Sequence, residues 1–195
     1  AAGSRRGRSA VVRGATFNPA RAARDGRSRI RRGSASWANR SSRAIAPIAQ
    51  DAGIKCAIEA LNRFEAHLLN TMEQAASYVK RVDHPNFGTM YDTFHANIEE
   101  KCPIGAIDTV FASGKLNHVH ISENDRGTPG RGHIDIKKAI KHLKSIGYDG
   151  WMTIEAFGGA LPDLAAATRV WRDFFPSTEQ VYTEGIALIK EALAS

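Results

Sequence analysis

Four short apolar runs in this 195-residue chain each stop at a side chain able to bind a metal ion. Glu59 follows Ile54–Ile58, Asp92 follows Phe87–Tyr91, His120 follows Leu116–Val119, and Glu155 follows Trp151–Ile154. Successive members lie 33, 28 and 35 residues apart, and one strand–loop–helix–loop step takes roughly 30 residues. Parallel strands point their carboxyl ends the same way, so this rhythm can gather all four side chains at one end of one sheet. Singly these are weak signals, because a strand-ending acid more often caps a helix or faces solvent. Their joint placement at equivalent points of four successive units carries the weight. Burying several carboxylates together is costly unless a cation pairs with them. Three carboxylates and one imidazole form a hard, oxygen-rich set, suited to Mn²⁺ or Mg²⁺ rather than to structural zinc. His118 shares a strand face with His120, so periodicity leaves open which imidazole coordinates.

Between these runs the text reads as helices. Arg43–Asp51 is expected to be helical with Gly53 as its stop. Asn70 and Thr71 can cap a helix through Val82, with Glu73 or Gln74 at the capping-box position. Pro103–Ser113 is a helix with Pro at its start and Gly114 behind it. Asn117–Ser122 is a strand, Asp135–Ile146 a helix closed by Gly147, and Trp151–Glu155 a strand. Pro162–Phe175 and Thr178–Ala194 close the chain as helices. Four strand–helix alternations argue for a parallel sheet with helices outside it, and active sites of parallel barrels sit at the carboxyl ends of their strands.

The first 41 residues do not match the rest. Residues 1–43 hold twelve Arg, no Lys and one acid, Asp25, for a net +11, while the remaining 152 carry 15 bases and 19 acids, a net −4. The basic character belongs to the tail. A segment of Arg, Ala, Ser and Gly without period 2 or 3.6 buries too little apolar surface to offset its ordering entropy, and disorder is expected. Three origins compete. A nucleic-acid arm lacks aromatic interleaving, and a transit peptide fits the composition but begins no amphipathic helix. The favoured reading is non-native text from a misplaced start or shifted frame. Residues 42–195 are expected to form the folded domain. Two cysteines, Cys56 and Cys102, are too few for a disulfide framework and fit a reducing cytosol. No apolar stretch approaches the roughly 18 residues of a membrane span.

The loops after the strands are polar. Asn62–Glu65 follows the first, Thr93–Asn97 the second, and Ser122–Gly130 the third. Glu65, His95 and Arg126 could bind a polyhydroxylated molecule there, although Arg126 read alone is equally a solvated loop residue. Gly158–Gly159 could cradle a phosphate, but a plain turn is the simpler reading.

Four motifs then carry a resemblance: Glu59–Glu65, Asp92–His95 with Asn97–Glu100, His118–His120, and Trp151–Glu155. In this order and spacing they resemble the ketose 3-epimerases (D-tagatose and D-psicose 3-epimerase) of the xylose-isomerase-like TIM-barrel superfamily, over about residues 42–195. The resemblance implies an α/β fold, a partial (β/α)₈ barrel of four parallel βα units equivalent to the carboxyl-terminal half. It implies Glu59, Asp92, His120 and Glu155 as ligands of a divalent metal, Mn²⁺ foremost with Co²⁺ or Mg²⁺ as alternatives. It implies Glu65, His95 and Arg126 as contacts to sugar hydroxyls. Glu59 and Glu155 would be the catalytic pair, one removing the C3 proton of a ketose and the other returning a proton to the opposite face, through an enediolate.

A full barrel typically takes about 250 residues, so half is expected to be absent and activity to be uncertain. Two open strand edges invite pairing, and two copies could close a barrel as a homo-oligomer. The alternatives are a related isomerase acting on a hydroxypyruvate- or inosose-type substrate, and a non-enzymatic fragment with a nucleic-acid-binding tail. A cytoplasmic protein with a ketose substrate and no membrane partner is the reading carried forward.

Overall fold

Strand and helix alternate along the chain, and the strands line up in the order in which they are made. The computed structural model describes residues 8–12 and 27–195, with side chains from residue 38 onward. The strands are β1 (Arg8–Val12), β2 (Ile54–Glu59), β3 (Phe87–Asp92), β4 (Leu116–Ile121) and β5 (Trp151–Ile154). They form one sheet in the order β1-β2-β3-β4-β5. The helices are α1 (Arg27–Asp51), α2 (Met72–Val82), α3 (Thr93–Glu99), α4 (Pro103–Phe111), α5 (Ile136–Ser145), α6 (Pro162–Thr168) and α7 (Thr178–Ala194). The four βα units from β2 to β5 make half of an α/β barrel. The chain divides into two compact units, Ala1–Tyr91 with Ala106–His118, and Asp92–Gly105 with Val119–Ser195.

In the first unit, β1 runs parallel to β2 with Arg8 opposite Ile54 and Val12 opposite Ile58. β2 runs parallel to β3 with Cys56 opposite Phe87 and Glu59 opposite Met90. The second half of β2 and all of β3 are buried on both faces, as in parallel sheets covered by helices. Gly88 admits no side chain, because a Cβ there would lie 2.3 Å from the Lys115 carbonyl oxygen. That absence lets Thr89 N–H donate to the same carbonyl at 2.8 Å. On α2, Met72, Ala75, Tyr78, Val79 and Val82 form the buried stripe. Ser42 of α1 meets it with its hydroxyl 2.7 Å from the Tyr78 hydroxyl. Thr71 caps α2 by accepting from Gln74 N–H, and the Gln74 side chain answers one residue early, accepting from Asn70 N–H at 2.8 Å.

In the second unit, Glu155 N–H donates to Ile121 C=O at 3.0 Å, which sets β5 beside the end of β4. Asp135 caps α5 by accepting from Lys138 N–H. Ile136, Ala139, Ile140 and Leu143 bury one helical face at i, i+3, i+4 and i+7, and α5 packs on α7. Charged ties flank that contact: Lys137 Nζ lies 2.6 Å from a Glu191 carboxylate oxygen, and Lys144 Nζ donates to Leu193 C=O. β5, last in the order, alternates exposed and half-buried, with Trp151 half exposed. Among the described residues no helix is long and apolar enough to cross a membrane.

Four elements differ from the sequence reading. Within the segment 1–41, expected to lack regular structure, Arg8–Val12 form a strand and α1 starts at Arg27 rather than Arg43. Ala10, Val11 and Val12 suit a strand once β2 offers an edge, and Arg and Ala are good helix formers. The rest of that segment, including Gly3–Arg6, lies outside the described residues. Thr93–Asn97, read as loop, begins α3. The helix read as Pro162–Phe175 ends at Thr168, where Arg169 turns to φ 64° and Val170 folds back onto Phe157 and Ala165.

Candidate metal centre

β3 ends on Asp92, and α3 starts at the next residue without a spacer. The Asp92 carboxylate makes that junction possible. Its Oδ1 accepts from Phe94 N–H at 2.7 Å and from His95 N–H at 3.2 Å, satisfying two of the donors that a helix start leaves open. Its Oδ2 faces the opposite way, 3.4 Å from His120 Nδ1.

His120 lies near the end of β4 and Glu155 directly follows β5. The Glu155–Ile121 backbone bond brings them level, and Glu155 Oε1 lies 3.2 Å from His120 Nδ1. Thr93 locks the same level from the α3 side: its hydroxyl donates to Ser122 C=O at 2.6 Å and accepts from Ser122 N–H at 2.8 Å. Asp92, His120 and Glu155 are all buried. Burial opposes an imidazolium, yet the hydrogen-bonding carboxylates of Asp92 and Glu155 outweigh it and push the His120 pKa up to about 9. Burial likewise raises a carboxyl pKa, but His120 outweighs it, and Asp92 is held below its ordinary value. The spot therefore favours positive charge.

Asp92, His95 and Glu155 each offer a ligand atom, all within 4.8 Å of one another. The unit thus holds a cluster of carboxylates and histidine able to take a metal ion, with His95 and His120 both bordering the carboxylates. The two imidazoles differ in what else they do. His95 Nε2 lies 3.0 Å from Arg126 Nη2. A guanidinium only donates, so Nε2 accepts and the His95 proton sits on Nδ1.

Arg126 is 2% exposed. Its guanidinium carbon lies 4.1 Å from the Phe94 ring centre and 5.0 Å from that of Phe157, a cation held against two aromatic rings. The solvated-loop reading of this arginine is excluded. Glu59, the last residue of β2, is buried in the first unit. Glu65 is half-buried there, and its Oε1 accepts from Asn62 Nδ2 at 2.9 Å.

Gly158 and Gly159 border a cavity of about 530 Å³ lined by Phe157, Phe174, Phe175, Tyr182 and Asp173. Aromatic walls and a carboxylate are the wrong chemistry for phosphate. The aromatic partners of Arg126 escaped sequence reasoning, since an aromatic residue after a strand reads as core. Spacing to Arg126 offers no signal for Phe157, which lies 31 residues away.

The sequence profile described as xylose isomerase-like TIM barrel matches residues 12–192. The chain is 37% identical over 154 residues to a ketose 3-epimerase of Arthrobacter globiformis, covering 77% of this chain and 52% of the relative. It is 41% identical over 133 residues to a D-psicose 3-epimerase of Ruminiclostridium cellulolyticum, covering 68% and 45%. The crystal structure of D-psicose 3-epimerase with D-tagatose from Clostridium cellulolyticum H10 superposes with a TM-score of 0.76 at 34% identity, over 84% of this chain and 57% of that one. The chain spans about half the length of the curated relatives it matches. With its parallel βα units and its carboxylate–imidazole cluster at the strand ends, the chain belongs to the xylose isomerase-like TIM-barrel family, and within it is similar to ketose 3-epimerases.

Proposed function

We propose that this chain carries the catalytic end of a metal-dependent ketose 3-epimerase, inverting C3 of a free ketose through an enediolate. The observation that carries the reading is the convergence of Asp92, His120 and Glu155 beside the His95–Arg126 pair, in a chain similar to proteins named ketose 3-epimerases.

The donor set fits a divalent cation. Asp92 Oδ2 and Glu155 Oε1 both face His120 Nδ1 within 3.4 Å, and oxygen-rich sets suit Mn²⁺, Co²⁺ or Mg²⁺. The resemblance makes His120 the imidazole of the set, and the Nε2 lone pair of His95 is engaged by Arg126 Nη2 at 3.0 Å. The resemblance adds Glu59 as the fourth ligand. A cation bound there would supply Lewis-acid stabilisation of charge developing on sugar oxygens.

The chain's own residues do the rest. One of Glu59 and Glu155 removes the C3 proton and the other returns a proton, since inversion needs groups on opposite faces. Arg126 and His95, already oriented by each other, present donors to sugar hydroxyls, and Glu65 adds an acceptor.

The test is incubation of the full chain with MnCl₂ and D-fructose, D-psicose or D-tagatose in D₂O. C3 epimers by chromatography, with deuterium at C3 and loss of turnover on chelation, are expected. No epimer from any ketose by a chain that demonstrably binds Mn²⁺ would overturn the reading for this polypeptide. Turnover of a hydroxypyruvate- or inosose-type substrate in place of these ketoses would move it to the isomerase alternative.

A further inference from the structure

The loop that carries Arg126 is built around one acid. Glu123 is 0% exposed, and its carboxylate reaches three separate points of the loop. Oε1 accepts from Asn124 N–H and Ile134 N–H, each at 3.0 Å. Oε2 accepts from Gly130 N–H, also at 3.0 Å. Beginning, middle and end of the loop are thus gathered on a single side chain. The Glu123 carbonyl adds a fourth tie by accepting from Arg126 N–H at 2.9 Å. Space around it is full: a Cβ on Gly132 would lie 2.5 Å from Glu123 Cγ.

We propose that Glu123 is the positioning residue of this site, acting through Arg126. The proposal rests on the epimerase reading for its kinetic consequence but not for its geometry. Arg126 sits at φ 60°, a backbone conformation that non-glycine residues hold only when neighbours enforce it. Its N–H is held by Glu123 and its carbonyl accepts from Phe157 N–H at 2.9 Å. Those two bonds aim the guanidinium against Phe94, Phe157 and His95.

A carboxylate is required because both oxygens must accept. In Glu123→Gln the amide nitrogen would oppose at least one loop N–H, donor against donor. In Glu123→Asp the side chain is one methylene too short to span the loop. Three charge-assisted bonds to backbone N–H groups are far more than one surface acid normally makes.

The experiment is a double-mutant cycle of Glu123→Gln with Arg126→Lys, read by KM and kcat for a ketose and by Mn²⁺ calorimetry. Glu123→Gln should raise KM about tenfold, change kcat less, and leave Mn²⁺ affinity unaltered. In the Arg126→Lys background its effect on KM should fall below about twofold, because the two act as one unit. Equal effects in both backgrounds, or an unchanged KM, would overturn the proposal. Should Glu123→Gln fail to fold, Asn124→Ala frees the same loop elsewhere, since Asn124 Oδ1 accepts from His133 N–H at 2.9 Å, and it enters the same cycle. Should the wild type turn over no ketose, the epimerase reading fails separately, and exchange of the Arg126 Nε proton is followed by NMR. Slow exchange in the wild type and fast exchange in the variant support positioning. Equal exchange rates refute it.

Discussion

The Arg126 guanidinium stacks 4.1 Å from the Phe94 ring centre, while its Nη2 reaches His95 Nε2 at 3.0 Å. One residue of α3 thus supports the cation from its face and the next orients it from its edge.

We predict that Phe94→Leu keeps the fold but loosens Arg126. Loss of the cation–π contact should cost about 1 kcal/mol in urea unfolding and raise the KM for ketose severalfold. Unchanged stability and KM would assign Phe94 to mere filling of space.

Asp92→Asn isolates ligand chemistry from helix capping. Asn caps as well as Asp, so α3 should persist by circular dichroism. Mn²⁺ affinity should fall by about tenfold or more, by calorimetry, through loss of the charged oxygen. Unaltered affinity removes Asp92 from the ligand set.

Glu155→Gln preserves shape and removes a proton acceptor. Epimerisation and deuterium uptake at C3 should both vanish while thermal unfolding barely moves. Retained turnover would count against its role.

Acid stability follows from the surface pair Arg131–Glu184, bidentate at 2.8 Å for both bonds. Hydrogen bonding to Arg131, then to Gln180, lowers the Glu184 pKa to about 2 from an ordinary 4.5. A depressed folded-state pKa adds stability that is complete above the unfolded value and lost as pH falls through the folded one. The advantage of wild type over Glu184→Gln should therefore shrink from about pH 4.5 down to about pH 2. Solvent exposure keeps it small. A gap that stays constant across that range in urea titrations would contradict the pairing.

Leu143→Ala tests the α5 face. Leu143 is fully buried, and truncating such a residue costs about 2–5 kcal/mol. A loss under 1 kcal/mol in urea unfolding would mean that the buried face of α5 packs loosely.

Which features could be read from the residues depended on how local their causes are. The strands β2 to β4 announced themselves because buried parallel strands are near-continuous apolar runs, β5 as a short apolar run ending at Glu155, and α2 and α5 because Thr71 and Asp135 cap amphipathic stretches. α3 was hidden because its cap, Asp92, already had a reading as a strand-end ligand, and its Thr-Phe-His-Ala-Asn text has no apolar stripe. α6 was overextended because Val170 turns inward for a tertiary reason, contact with Phe157, that no window around it contains. At the centre, Asp92, His120 and Glu155 were legible as a recurrence, and their register needed only the sheet. Glu123 was not, because its three partners are backbone amides with no signature in side-chain identity.

Asp92 spends one oxygen on starting α3 and keeps the other for the interior. A side chain pinned in this manner cannot rotate away on its own, so whatever approaches its second oxygen meets a rigid target. Its aim is inherited from the first turn of a helix, and mutations that fray that turn should blunt the centre even when every candidate ligand is retained.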